Sequence, residues 1–131
     1  MARQRIDRSR IRTSHAPAAI ASYSQAIQVG DTVYCSGQIA QDPETGALVQ
    51  DSLEAETERV LENLGAVLRA AGLTFNHVVQ CTVYLTDIND YGPVNEIYAR
   101  YFSEFPPARD ALGIAALPRG ARVEISCVAV R

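Results

Sequence analysis

Two periodicities of apolar and polar positions divide this chain into elements. Ala26-Ile27-Gln28-Val29 and Thr32-Val33-Tyr34-Cys35-Ser36 are short β-rich runs separated by Gly30-Asp31. Glycine supplies the positive φ that a tight two-residue turn needs, so the stretch predicts a β-hairpin. Asp42-Pro43-Glu44-Thr45-Gly46 reads as a loop, with Pro43 and Gly46 marking a turn. The period then changes. Leu53, Val60, Leu61, Leu64, Val67, Leu68 and Ala71 fall on one helical stripe, with Glu54, Glu58, Glu62 and Arg69 off it. The spacing predicts a helix over about 52–71, with Asp51 and Glu54 as a capping box and Gly72 as a left-handed C-cap.

Residues 78–85 return to a β-rich pattern. A second helix is expected from near Pro93, a residue favoured in a first turn, with Val94, Ile97, Tyr98, Tyr101, Phe102 and Phe105 as its apolar stripe. Pro106-Pro107 stop it. Two strands follow, roughly 110–115 and 122–130, joined by Leu117-Pro118-Arg119-Gly120. The order β-β-β-α-β-α-β-β describes one α+β domain over residues 1–131, a six-stranded mixed sheet with two helices on one face.

The last strand departs from a simple amphipathic pattern. Val123, Ile125, Cys127 and Ala129 point one way, but Val128 and Val130 point the other, beside Glu124 and Ser126. An antiparallel sheet with one wet face alternates more cleanly. Large exposed apolar patches are rare on monomers, so the second face is expected to pack on another copy of the chain.

Composition narrows the function classes. A hydrophobic content of 47% over 131 residues suits a single core, and a net charge of −3 gives no global field for nucleic acid. Arg3, Arg5, Arg8, Arg10 and Arg12 make the N-terminus locally basic, and residues 1–12 are read as a solvated edge strand or arm. No run has the apolar length of a membrane span or a signal core, so a cytoplasmic protein is expected. Cys35, Cys81 and Cys127 stand in apolar strands without a C-x-x-C pair and read as buried reduced thiols. With His15 and His77 isolated, no metal ligand set can be assembled by spacing.

Pro107-Ala108-Arg109 is the most informative local feature, because the planar fork of arginine grips a carboxylate with two parallel hydrogen bonds. With Tyr23-Ser24-Gln25, Ser36-Gly37-Gln38 and Glu124 it points to a pocket for a small carboxylated molecule. Each residue also has a plainer reading. Arg109 can be a surface charge, Glu124 an edge charge opposing Arg122 or Arg119, Asn95 a local helix cap, and Ser36 a turn residue.

Ala19-Ile20, Tyr23-Ser24-Gln25, Ser36-Gly37-Gln38-Ile39, Val94-Asn95 with Tyr98, Pro107-Ala108-Arg109, and Leu117-Pro118 followed by Val123-Glu124-Ile125 together resemble the Rid family, the YjgF-like reactive intermediate deaminases. The resemblance spans residues 17–130. It implies a chorismate-mutase-like fold, a homotrimeric barrel with a pocket at each subunit interface, and no cofactor. It also implies hydrolysis of 2-enamino and 2-imino acids to 2-keto acids and ammonia. By position, Arg109 would hold the substrate carboxylate and Glu124 would orient water or the imine nitrogen. Tyr23, Ser36, Asn95 and the backbone at Ala111 would line the pocket. Where better-known members place a small hydroxyl residue and a cysteine, this chain has Asp110 and Ala111. Asp110 is therefore a candidate partner for Arg109.

Two other classes remain open on the sequence. One is a binding or regulatory protein that takes keto acids in the same pocket without turnover, motivated by Asp110 and the missing thiol. The other is RNA cleavage, favoured only by the N-terminal arginines and opposed by the net charge and the lack of a histidine pair.

Overall fold

The computed structural model describes residues 6–131. Six strands form one sheet in the order β1-β2-β3-β6-β4-β5. They are β1 (Ser9–Ile11), β2 (Ala26–Val29), β3 (Thr32–Gln38), β4 (Val78–Leu85), β5 (Ala108–Gly113) and β6 (Val123–Val130). Every pairing is antiparallel except β4 with β5. Parallel neighbours need a crossover, and helix α2 (Tyr91–Tyr101) supplies it. Helix α1 (Leu53–Ala70) packs on β3, β6 and α2. The element order and mixed sheet agree with the sequence reading. Arg3 and Arg5 of the basic arm lie outside the described residues; Arg10 stands in the short edge strand β1.

The core lies between the helices and one face of the sheet. Val60, Leu61, Leu64, Val67 and Leu68 of α1 are buried against Val33 and Cys35 of β3, Val83 and Leu85 of β4, and Val123, Ile125 and Ala129 of β6. A fully buried side chain of this size contributes about 1.5–3 kcal/mol, which is what makes these two faces meet. Cys35, Cys127 and Cys81 stand directly opposite one another across β3, β6 and β4. All three are buried free thiols, and burial pushes Cys81 up to about 11.

Several boundaries differ from the sequence expectation. Ser52 caps α1 by accepting from the Ala55 N–H at 3.0 Å, in place of an Asp51–Glu54 box. Helix α2 starts at Tyr91, two residues before Pro93, and ends at Tyr101. Phe105 is therefore 93% exposed and takes no part in the core. Strand β5 begins at Ala108, because pairing with β4 outweighs the local proline signal, so Arg109 sits inside a strand. Gly72 adopts φ +77 just beyond α1, as its expected role requires.

Candidate functional site

Arg109 pairs in register with the buried Cys81, so its side chain leaves the sheet on the helix side and runs under α2. Its NH1 donates to Asn95 Oδ1 at 2.7 Å, and its NH2 donates to the Tyr91 hydroxyl. The guanidinium lies 4.8 Å from the Tyr98 ring centroid and 5.3 Å from that of Tyr91, both within cation–π range. Tyr98 is itself buried, and its hydroxyl has no nitrogen or oxygen partner among the described residues. Asn95 is thus a support for the guanidinium. Val83, Val94 and Ala111 complete a small cleft around these groups.

Asp110, the next residue on β5, is exposed and points to the opposite face. Among the described residues it forms no ion pair with Arg109. The contact suggested by sequence adjacency is absent because neighbouring strand residues face opposite ways.

Glu124 belongs to the other face. It pairs in register with Tyr84 of β4, between the buried Val123 and Ile125, and so leaves the sheet on the side away from the helices. Its carboxylate occupies the space over Gly37, where a Cβ would stand 2.3 Å from Glu124 Oε2. Glycine at this point permits the close approach. A cavity of about 370 Å³ opens there, with Tyr23, Gly37, Gln38, Pro118, Arg119 and Glu124 among its walls. Loss of hydration raises the Glu124 pKa above the ordinary carboxylate range. The plainer alternative, Glu124 as an edge charge opposing Arg122 or Arg119, is not what the structure shows: Arg122 bonds to Glu56 at 2.7 Å and Arg119 donates to the Gly46 carbonyl at 2.9 Å.

Two buried amides hold the loops of this cavity. Gln25 accepts from the Thr13 N–H and donates to the carbonyls of Thr13, Ala16 and Pro17, which ties down the segment leading to Tyr23. Asn63 on α1 donates to the carbonyls of Ile39 and Gln41 just beyond β3. Ser36 donates to the Ser24 carbonyl at 2.6 Å, which joins β3 to the Tyr23 loop. Its hydroxyl braces the wall.

The residues singled out from the sequence therefore fall into two groups. Arg109, Asn95 and Ala111 share the helix side; Tyr23 and Glu124 share the open side. Ser36, expected to line the pocket, lines neither cavity, because its hydroxyl is turned to the Ser24 carbonyl. The sequence reading did not single out Tyr91 or Glu56, and named Arg119 only as an alternative charge partner of Glu124. Tyr91 begins α2 one turn before Asn95, a spacing that places both on one helix face.

The open face also carries apolar surface, with Tyr34, Leu112 and Val130 exposed on β3, β5 and β6. Among the described residues no group of side chains is arranged to hold a metal ion, and no helix is long and apolar enough to cross a membrane.

Comparison with known proteins follows the same lines. Residues 13–131 match the family model described as Endoribonuclease L-PSP. The chain is 54% identical over 126 residues to the 2-iminobutanoate/2-iminopropanoate deaminase of Mus musculus, covering 96% of this chain and 93% of that protein. It is 50% identical over 121 residues to the Homo sapiens protein of that name, covering 92% and 88%. Among solved structures, a conserved Rid family protein from Yersinia pestis superposes with a TM-score of 0.93 at 45% identity, over 95% of this chain and all of that one. Escherichia coli TdcF with bound serine gives 0.90 at 37% identity, over 94% and 98%. The chain belongs to this family, the endoribonuclease L-PSP or Rid proteins.

Proposed function

We propose that this protein hydrolyses 2-imino acids, and the 2-enamino acids that tautomerise to them, to 2-keto acids and ammonia, in a site shared between copies of the chain. The observation that carries the reading is the guanidinium of Arg109. It is braced by Asn95, Tyr91 and Tyr98 and, among the described residues, pairs with no carboxylate, which suits it to a substrate carboxylate. Imine hydrolysis is the activity in the names of the mouse and human relatives, and serine, an amino acid, is the ligand in the TdcF structure.

The steps follow from two fixed groups. Arg109 anchors the carboxylate, which turns a loose encounter into a positioned one. The protonated imine carbon is electrophilic. Water adds to it while the Glu124 carboxylate accepts the water proton, a contribution of typically ~10²–10⁴-fold. Return of that proton to the amino nitrogen of the carbinolamine makes it a leaving group. As the C–N bond breaks and ammonia departs, the hydroxyl proton passes back to the Glu124 carboxylate and the C=O of the keto acid forms. Burial raises the Glu124 pKa, which strengthens it as a base relative to an ordinary carboxylate.

Arg109 and Glu124 leave opposite faces of one sheet, so a single chain does not offer both to one small molecule. A closed ring of copies, a homotrimer in this reading, brings Glu124 of one beside Arg109 of the next. The apolar residues of the open face would be covered in the same assembly.

The test is an imine-decay assay in which an amino-acid oxidase generates 2-imino acids and semicarbazide traps what remains. Wild type accelerates the loss of imine; Arg109→Ala and Glu124→Ala do not. Refolding the two variants together at equal amounts restores about one quarter of wild-type activity, the random share of interfaces with both groups intact in a ring. Absence of acceleration by wild type, with 2-oxobutyrate still binding, refutes the deaminase and leaves a binding protein. Activity in wild type without restoration in the mixture refutes the shared site alone.

A further inference from the structure

Glu56 is fully buried on α1, a costly place for a carboxylate, yet it is remote in sequence from every group assigned to the reaction. Its Oε2 accepts from the Arg122 backbone N–H at 2.7 Å, and its Oε1 accepts from Arg122 Nε at 2.7 Å. Gln50 donates to the Gly120 carbonyl at 3.0 Å and reaches Glu56 Oε1 at 3.5 Å. From the other side, the Thr86 N–H donates to the Arg122 carbonyl. This network grips the chain two residues before Glu124.

The grip falls where β6 is least supported. Pairing between β3 and β6 shifts register between Cys35 and Gln38, and its last pair is Gln38 with Ile125. Val123 and Glu124 therefore lie beyond that last pair and keep their ladder pairing with β4, and Glu124 lines the cavity. The preceding turn holds Arg119 at φ 59 and ψ 22, a left-handed conformation that a non-glycine residue adopts only when its surroundings enforce it. Arg119 and Pro118 line the same cavity as Glu124. Without an anchor at Arg122, the turn is free to relax and the start of β6 to move.

We propose that Glu56 is a positioning residue for the reaction: through the backbone N–H and guanidinium of Arg122 it sets where β6 begins, and so where the Glu124 carboxylate stands. The kinetic part of this inference rests on the deaminase reading; the placement of Glu124 does not. Arg109 is held by α2, outside this network, so its grip on the substrate carboxylate is independent of Glu56.

Two measurements on Glu56→Ala and Glu56→Gln test it. The first is the separation of kcat from KM in the imine assay. Displacement of a positioned catalytic group by about 1 Å costs up to ~10²-fold, so kcat of Glu56→Ala falls at least tenfold with KM within about twofold of wild type. Glu56→Gln keeps an oxygen that accepts from the Arg122 N–H, and recovers kcat to within about threefold of wild type. The second is the titration of the Glu124 carboxyl by carbon NMR. Tyr23 and Arg119 face it from the cavity walls and Tyr84 stands opposite on β4. In Glu56→Ala its pKa returns toward the ordinary value as water reaches it, a change that a merely structural ion pair would not produce.

Wild-type kcat in folded Glu56→Ala, or a lowered kcat with the Glu124 titration unmoved, overturns the proposal. If wild type does not accelerate imine decay, the deaminase reading fails and the titration decides the positioning by itself. Should Glu56→Ala not fold, Gln50→Ala loosens the same turn through Gly120. A fall in kcat with a shifted Glu124 titration then supports the proposal, and wild-type behaviour in both overturns it.

Discussion

Gly37→Ala separates the geometry of the Glu124 carboxylate, the base in the proposed reaction, from the stability of the fold. Gly37 does not have a left-handed φ, so alanine suits its backbone, and in the folded state the added methyl group acts by steric contact. The new Cβ would lie 2.3 Å from Glu124 Oε2, 2.8 Å from Cδ and 3.0 Å from Cγ, whereas ordinary van der Waals contact begins at 3.4 Å. The carboxylate must retreat by about 1 Å, and it is the free end of a side chain with an open cavity beside it. A forced rotamer change costs about 1 kcal/mol, a fall in Tm of roughly 4 °C for a domain of this size. The reaction is less forgiving, since a misplacement of about 1 Å costs up to ~10²-fold. We expect kcat in the imine assay to drop by about 10²-fold, while calorimetric binding of 2-oxobutyrate stays near wild type, because Arg109 on the other face is untouched. A Gly37→Ala protein with full kcat would refute the placement of Glu124 at the reacting atoms. Loss of kcat together with loss of keto-acid binding would show that the methyl group distorts the whole site.

Arg109→Lys keeps the charge but loses the fork and much of the stacking on Tyr98, so kcat/KM falls by about a hundredfold with thermal stability nearly unchanged. The raised Glu124 pKa sets two pH effects. Activity that needs the carboxylate is lost on acidification through a midpoint above the usual carboxylate value, read from kcat/KM against pH; Glu124→Gln abolishes that limb together with the activity. The folded state also holds this proton more tightly than the unfolded chain. The resulting stabilisation is present below the unfolded value near 4.5 and is lost as pH rises through the folded value. Glu124→Gln should therefore melt higher than wild type at pH 7, and not at pH 4. Finally, with Cys81 pushed up to about 11 and all three thiols buried, Ellman's reagent should react with none of them in the native protein and with three in denaturant. A fast-reacting thiol in the native state would contradict the packing of the central strands.

Much of the fold was legible in the chain because it is written in local spacing. The stripe from Leu53 to Ala71, the turn at Gly30-Asp31 and the positive φ at Gly72 each depend on a few neighbouring residues, and each appears where its pattern places it. Arg109 and Glu124 could be singled out by residue type and family motif. What tertiary structure decided is how distant segments meet. The three cysteines, 46 residues apart in sequence, stand shoulder to shoulder because strand order places β6 between β3 and β4. Arg109 turned out to have Asn95 and Tyr91 as partners, where adjacency suggested Asp110, since α2 crosses over β5 while adjacent strand residues diverge. Nothing in the local pattern of α1 distinguishes Glu56; its partner is the turn before β6, 66 residues away, which only the tertiary fold brings over it. The placement of Arg109 and Glu124 on opposite faces follows from strand register, a long-range property set by which strands pair and where a bulge falls. A shift of one residue would reverse it, and no local signal in either strand carries that information.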